Sequence, residues 1–271
     1  MTYRIAVRAL CEFTAKAGDL DLRFTPSPTA QQGIAGHRTV ASRRSAGYQA
    51  ELSLQGEYAG VQVRGRADGY DPQGNVLEEV KTYRGDFTSI PANHRQLHWA
   101  QARVYGWLVC QSLQLPEVTI ALVYFDIVSE QETRLQETWT AAQLQNFFNQ
   151  QCTLFGAWAE QEAQHRQTRD DAARTLAFPH AQFRTGQRAL AEAVYKTASG
   201  GRCLMAQAPT GIGKTIGTLF PLLKAMPVKQ LDKVLFLTAK TPGRKLALDS
   251  LQVLYPRGTD APLRVLELVA R

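Results

Sequence analysis

With 271 residues, 44% of them hydrophobic and 20% charged, the chain has the composition of a globular protein and the length to bury two cores. It holds no run of about 18 apolar residues, which excludes a membrane-spanning helix as its organising element, and Met1-Thr2-Tyr3-Arg4-Ile5-Ala6 lacks the apolar core of a secretory leader, so a cytoplasmic location without a membrane partner is expected. The net charge of +7 is unevenly spread: residues 1–175 carry 17 Lys and Arg against 19 Asp and Glu, whereas residues 176–271 carry 14 against 5, and the basic second half predicts a polyanionic partner, nucleic acid being the commonest.

Residues 3–17 read as a short strand and a helical segment closed by Gly18. Ser27-Pro28 reads as a helix start, with Ser27 as N-cap and Pro28 in the first helical position, running to about Arg44. Its apolar face carries Ile34, Val40 and Ala41, and His37 falls on the same face. A lone histidine there is most simply a core residue.

From Tyr48 the period switches to two, in Tyr48–Leu54 and again in Gly60–Asp68, before the turn cluster Asp71-Pro72-Gln73-Gly74-Asn75 and the returning strand Val76–Lys81. A hairpin symmetric about Gln73-Gly74 sets Asp68 across from Glu79. Lys81 shares that face, and Glu78 and Val80 point to the other. Two carboxylates so close repel unless a cation intervenes, and a divalent metal would resolve this. Oxygen ligands suit Mg²⁺ or Mn²⁺, and a histidine such as His37 tilts the preference to Mn²⁺. An exposed charged sheet face is the other reading these residues leave open.

Residues 92–113 form the next helix, with Leu97, Ala100, Val104, Leu108 and Ser112 on one side and His94, His98, Gln101 and Tyr105 as an adjacent stripe. His94 and His98 have the spacing of a zinc pair, but Arg95-Gln96-Leu97 supplies no metalloprotease Glu. Strands near 118–128 and 133–137 follow, then a helix from Thr140 to about Gln164 and a polar linker or terminal helix.

In the basic half, the apolar run Cys203-Leu204-Met205-Ala206 reads as a strand leading into Ala208-Pro209-Thr210-Gly211-Ile212-Gly213-Lys214-Thr215 and a helix. Small residues let backbone N–H groups close around phosphate oxygens at the positive end of that helix. Lys214 would reach the β- and γ-phosphates of ATP and the Thr215 hydroxyl the nucleotide's Mg²⁺. Ala208 stands where the strict pattern has Gly. Cys11, Cys110, Cys152 and Cys203 are dispersed without a C-x-x-C pair, which predicts four buried reduced thiols rather than a zinc knuckle or a disulfide framework.

His37, Asp68, Glu79-Val80-Lys81 and Gln101-x-x-x-Tyr105, in this order on helix, hairpin and helix, resemble the RecB-like branch of the PD-(D/E)XK nucleases, with Ala67 in place of the Pro of the family name. The resemblance implies a mixed sheet flanked by helices over residues 1–165. It implies metal binding by His37, Asp68, Glu79 and the Val80 carbonyl, with Asp68, Glu79 and Lys81 as catalytic residues and Gln101 and Tyr105 orienting DNA. The cysteines that hold an iron–sulfur centre in some relatives are absent from this stretch.

After a linker or terminal helix at 166–181, residues 182–271 resemble the first part of a RecA-like P-loop domain of an XPD/DinG-type superfamily 2 helicase. The resemblance rests on Phe183-Arg184-Thr185-Gly186-Gln187, the phosphate loop, and Val234–Thr241, which is similar to that family's motif Ia. It implies that Gln187 reads adenine, with Phe183 packing beside it, and that Thr238 contacts single-stranded DNA. The acidic Mg²⁺ motif, an iron–sulfur insertion and the second motor lobe are expected beyond residue 271. These residues alone are therefore expected to bind nucleotide and DNA and to cut DNA with Mg²⁺ or Mn²⁺, without unwinding it; a catalytically silent DNA clamp is the alternative.

Overall fold

The computed structural model describes residues 2–18, 28–238, 241–256 and 263–269. The chain is mixed α/β and divides into two compact units, Met1–Glu160 and Gln161–Arg271.

The first unit holds β1 (Tyr3–Ala6), α1 (Val7–Thr14), α2 (Ala30–Ser42), β2 (Gln49–Tyr58), β3 (Val61–Asp71), β4 (Val76–Tyr83), α3 (Ala92–Leu113), β5 (Glu117–Asp126) and β6 (Glu132–Thr140), and α4 (Ala141–Thr175) runs across the boundary. The linker or terminal helix expected at 166–181 is thus helical through Thr175. Helix α2 begins later than Ser27-Pro28 predicts. Its cap is Thr29, whose hydroxyl accepts from the Gln32 N–H at 3.3 Å while the Gln32 side chain accepts from the Thr29 N–H at 2.9 Å, a reciprocal box that satisfies two otherwise orphaned donors. Pro28 therefore precedes the helix, and Ser27 lies outside the described residues. Helix α1 is capped by Ala15 and not by Gly18, which adopts its left-handed conformation three residues later.

The six strands form one mixed sheet in which β1 runs parallel to β3, β2 and β4 antiparallel to β3, β5 parallel to β4, and β6 antiparallel to β5. Alternation sorts the two faces. On β5, Ile120, Leu122 and Tyr124 join the main core with Leu10 of α1 and Val104 and Leu108 of α3, whereas Ala121, Val123 and Phe125 pack with Val40 of α2 on the opposite face. On β4, Leu77 belongs to the first set and Val80 to the second. Ile34 is exposed, and so is Ser112 of α3, so the apolar stripes of both helices are narrower than their periodicity predicts.

One edge of β3 is taken by β2 from Val61 to Tyr70, with a break opposite Asp68 where Glu51 turns to a φ of 55°. The other is shared: β1 pairs with Val61–Arg64 and β4 with Gly69–Asp71. Residues 65–68 have no strand beside them on that edge, so β3 and β4 part as a fork. Ala67 and Tyr70, three residues apart, both enter the main core, so the period of two breaks at Asp68-Gly69.

The second unit contains α5 (Gln187–Gly200), α6 (Lys214–Lys229) and α7 (Thr241–Leu254), with Ile216, Leu219, Leu223 and Met226 of α6 packed against Ala247 and Leu254 of α7. Two expected strands are not formed. Residues 203–206 and 234–238 pair with no strand among the described residues, and Met205, Leu235 and Leu237 are exposed. A strand exists only through its neighbour's hydrogen bonds, and apolar character in a segment does not supply that neighbour. Ala239 and Lys240, the end of the same expected motif, lie outside the described residues.

Candidate active site

The fork is occupied by Asp68. Where β4 leaves β3, the Val80 N–H donates to Asp68 Oδ2 at 2.7 Å, so a side chain replaces the missing ladder bond. The other carboxylate oxygen, Oδ1, lies 3.1 Å from Nδ1 of His37 on α2. A carboxylate only accepts, so Nδ1 carries the proton. This bond to Asp68 raises the His37 pKa, outweighing the burial that opposes it.

From the α3 side of the sheet, Glu79 and Lys81 approach the same place. Lys81 Nζ donates to Glu79 Oε1 at 2.6 Å and to Gln101 Oε1 at 3.0 Å. Glu79 is 5% exposed. Burial pushes its carboxyl upward, Lys81 opposes the shift, and the Asp68 charge adds to it. Lys81 therefore has its head group fixed between a carboxylate and a carboxamide. Tyr105, one turn beyond Gln101, is buried, and a Cβ at Gly65 would lie 2.6 Å from its hydroxyl oxygen. Its hydroxyl is pushed up by burial and by the nearby Glu79 and Asp68 charges.

His98, on the stripe with His94, turns to β5. The His98 Nδ1 lies 3.0 Å from the Tyr124 hydroxyl, and burial holds its pKa down to about 3, with Lys81, His94 and Arg8 pushing the same way.

The residues that pin β4 from behind escaped the sequence reading. Glu78, 1% exposed, points to the α2 face, where it accepts from Arg44 Nε at 2.8 Å and the Tyr48 hydroxyl at 3.0 Å and pairs with Arg134 at 2.8 Å. Arg44 also reaches Glu132 on β6 at 2.6 Å. A second acid beside Glu79, flanked by Leu77 and facing the same side as Val80, was the available signal, since a buried carboxylate requires cations at hand.

In the second unit, the segment expected to be a phosphate loop forms a turn before α6 with no regular strand ahead of it. Gly211 and Gly213 take φ of +87° and +81°, left-handed values that side chains resist, and Gly213 caps α6. Lys214 Nζ donates to the carbonyls of Ala208 at 3.0 Å and Pro209 at 2.8 Å. Thr215, partly buried, follows in the first turn, and Pro209, Thr210 and Gly211 are exposed. Gln187 is buried and braces this loop: its Nε2 donates to the Gly213 carbonyl at 3.1 Å and its Oε1 accepts from the Arg184 N–H at 3.0 Å, while Arg184 donates to the Gly211 carbonyl at 2.5 Å. Phe183 stacks on Phe178, with ring centroids 3.8 Å apart. Thr238 is exposed, beside Gly243 of α7. Of the four cysteines, Cys11, Cys110 and Cys152 are buried and Cys203 is exposed. The expectation of four buried thiols thus fails at Cys203, because the segment expected to bury it is not a strand.

The structure thus brings together His37 with Asp68, Asp68 with Val80, and Glu79 with Lys81 and Gln101. No group of three or more His, Cys, Asp or Glu among the described residues is gathered closely enough to hold a metal ion. No helix among them is long and apolar enough to cross a membrane. No family model and no curated protein matches the chain. A solved structure titled "Crystal structure of SSO0001" is 19% identical, covers 57% of this chain and 77% of its own, and has a TM-score of 0.37, a likeness too slight to bear on function.

Proposed function

We propose that the first unit is a metal-dependent DNA nuclease of the RecB-like PD-(D/E)XK kind, joined to the nucleotide-binding first part of an XPD/DinG-type helicase that acts in DNA repair or processing in the cytoplasm. The observation that carries this reading is the fork between β3 and β4, where Asp68 takes the Val80 N–H and Glu79, next in the chain to Val80, shares with Gln101 an ammonium oriented by both.

Two carboxylates, an imidazole and the Val80 carbonyl are the donor chemistry of Mg²⁺ or Mn²⁺. The nuclease reading gives the ion to His37, Asp68 and Glu79 with that carbonyl; as they stand these three side chains are not gathered closely enough to hold it, so binding would have to draw them together, and the burial that raises the Glu79 carboxyl is a condition a cation relieves. Such an ion supplies a more acidic bound water and neutralises charge on the phosphate. Lys81 would present its ammonium to a phosphodiester entering the fork and stabilise charge developing there. Gln101 holds that ammonium in place. In the second unit, Ala208–Thr215 would take the phosphates of ATP and Thr238 the DNA strand, with Gln187 keeping the loop in shape.

The reading is tested on single-stranded oligonucleotides with Mn²⁺ or Mg²⁺. Wild-type protein should cut and Asp68→Ala and Lys81→Ala should not; equal cutting by all three would sink the assignment. The second reading, a silent nuclease-fold clamp, is favoured by the absence of a three-ligand group among the described residues. It predicts DNA binding that is unchanged in chelator and no cleavage under any metal.

A further inference from the structure

We infer that Gly36 is the positioning residue that brings His37 against Asp68, by allowing α2 to lie directly on β4. Glycine is disfavoured inside a helix, yet Gly36 sits in the middle of α2 with no turn to make. Its neighbours explain it. A Cβ at this position would stand 2.6 Å from Thr82 Cγ2 on β4 and 3.1 Å from Phe125 Cδ1 on β5. The first distance is closer than packed carbon atoms approach, and the β-branched Thr82 has one strongly restricted side-chain torsion with which to yield.

Helix and sheet therefore touch through the space of the missing side chain. The consequence falls on the next residue. His37 spans the gap to the fork with a single 3.1 Å contact to Asp68, and a hydrogen bond weakens steeply once its partners separate by more than a few tenths of an ångström. Any side chain at position 36 lifts α2 and opens that contact. Gly33, one turn earlier, is different: a Cβ there would meet Thr82 Oγ1 at an ordinary 3.5 Å, so alanine at 33 is accommodated. The consequence for metal binding rests on the nuclease reading above, whereas the His37–Asp68 contact does not.

The test uses the full chain labelled with ¹⁵N-histidine. In wild type, the His37 ring N–H held by Asp68 should give a protected, downfield proton signal; Gly36→Ala should lose it, Gly33→Ala should keep it, and Gly36→Ala/Thr82→Ser, which removes the obstructing methyl, should regain it. Retention of the signal in Gly36→Ala would overturn the inference. Should Gly36→Ala not fold, the double variant decides, and its failure to fold or to regain the signal would overturn the inference as well. Mn²⁺ affinity, measured by electron paramagnetic resonance of the free ion, should fall about tenfold or more in Gly36→Ala and recover in the double variant. If the ring signal follows the expected order while wild type and His37→Ala bind Mn²⁺ equally, the positioning of His37 stands and the metal reading falls.

Discussion

The two candidate sites of this chain are built on different principles. At the fork, Asp68, His37, Lys81 and Gln101 come from β3, α2, β4 and α3, and each is held by a neighbour distant in sequence. At the phosphate loop, the shape comes from within about 30 residues: two left-handed glycines, a lysine folded onto its own loop, and Gln187 and Arg184 bracing it. The first site is as firm as the sheet around it, whereas the second keeps its form while the apolar segments on either side lie exposed.

Breaking the fork should have the largest effect. On the nuclease reading, Lys81→Ala lowers the cleavage rate constant about 10²–10³-fold, with little change in binding of the oligonucleotide, as measured by single-turnover cleavage and anisotropy; an unchanged rate constant would remove Lys81 from the chemistry. Next in size is the contrast of cores. All four tryptophans lie in the first unit, so their fluorescence follows its unfolding in urea. Leu122→Ala, at a fully buried position, should cost about 2–5 kcal/mol on that signal. Leu237→Ala, whose side chain is exposed, should stay within about 0.5 kcal/mol in a hydrogen-exchange measurement of the second unit. A large loss there would show that the segment is buried in solution.

Loosening the phosphate loop should have a smaller effect. On the nucleotide-binding reading, Gln187→Ala, which removes two hydrogen bonds of roughly 1 kcal/mol each, should weaken binding of a fluorescent ATP analogue about tenfold, read by titration. The gentlest probe is thiol labelling under native conditions. Burial pushes Cys11 and Cys152 up to about 12 and Cys110 up to about 11, so these thiols are not the reactive thiolate at neutral pH. Cys203 is exposed. One thiol per chain should react rapidly and three only on unfolding; two fast thiols would mean that the core of the first unit opens.

Much of the fork was legible beforehand, for a local reason. A strand's alternation and a hairpin's turn centre are properties of adjacent residues, so the hairpin's register, the shared face of Glu79 and Lys81, and the separate face of Glu78 followed from counting along Gly60–Lys81, whereas the expected pairing of Asp68 with Glu79 is not formed, because the ladder ends at Gly69 and Glu78. The same counting failed where partners come from elsewhere. It did not foresee that Asp68 closes the gap left by β4, or that Gln101 turns its oxygen to Lys81. It also missed Arg44, Tyr48 and Arg134 gathering around Glu78.

By itself the sequence determined most elements of the first unit and their faces: the hairpin, the long helix at 92–113, the glycine-rich turn that opens a helix at Lys214, and the candidates His37, Asp68, Glu79 and Lys81. Periodicity and turn chemistry act over a few residues, so they can be read without a fold. Only the tertiary structure decided how near these candidates come and which apolar segments find a neighbour. The distance from His37 to Asp68 depends on how closely α2 can approach β4. Whether 203–206 or 234–237 becomes a strand depends on a second edge to pair with, and neither property is contained in the segment concerned.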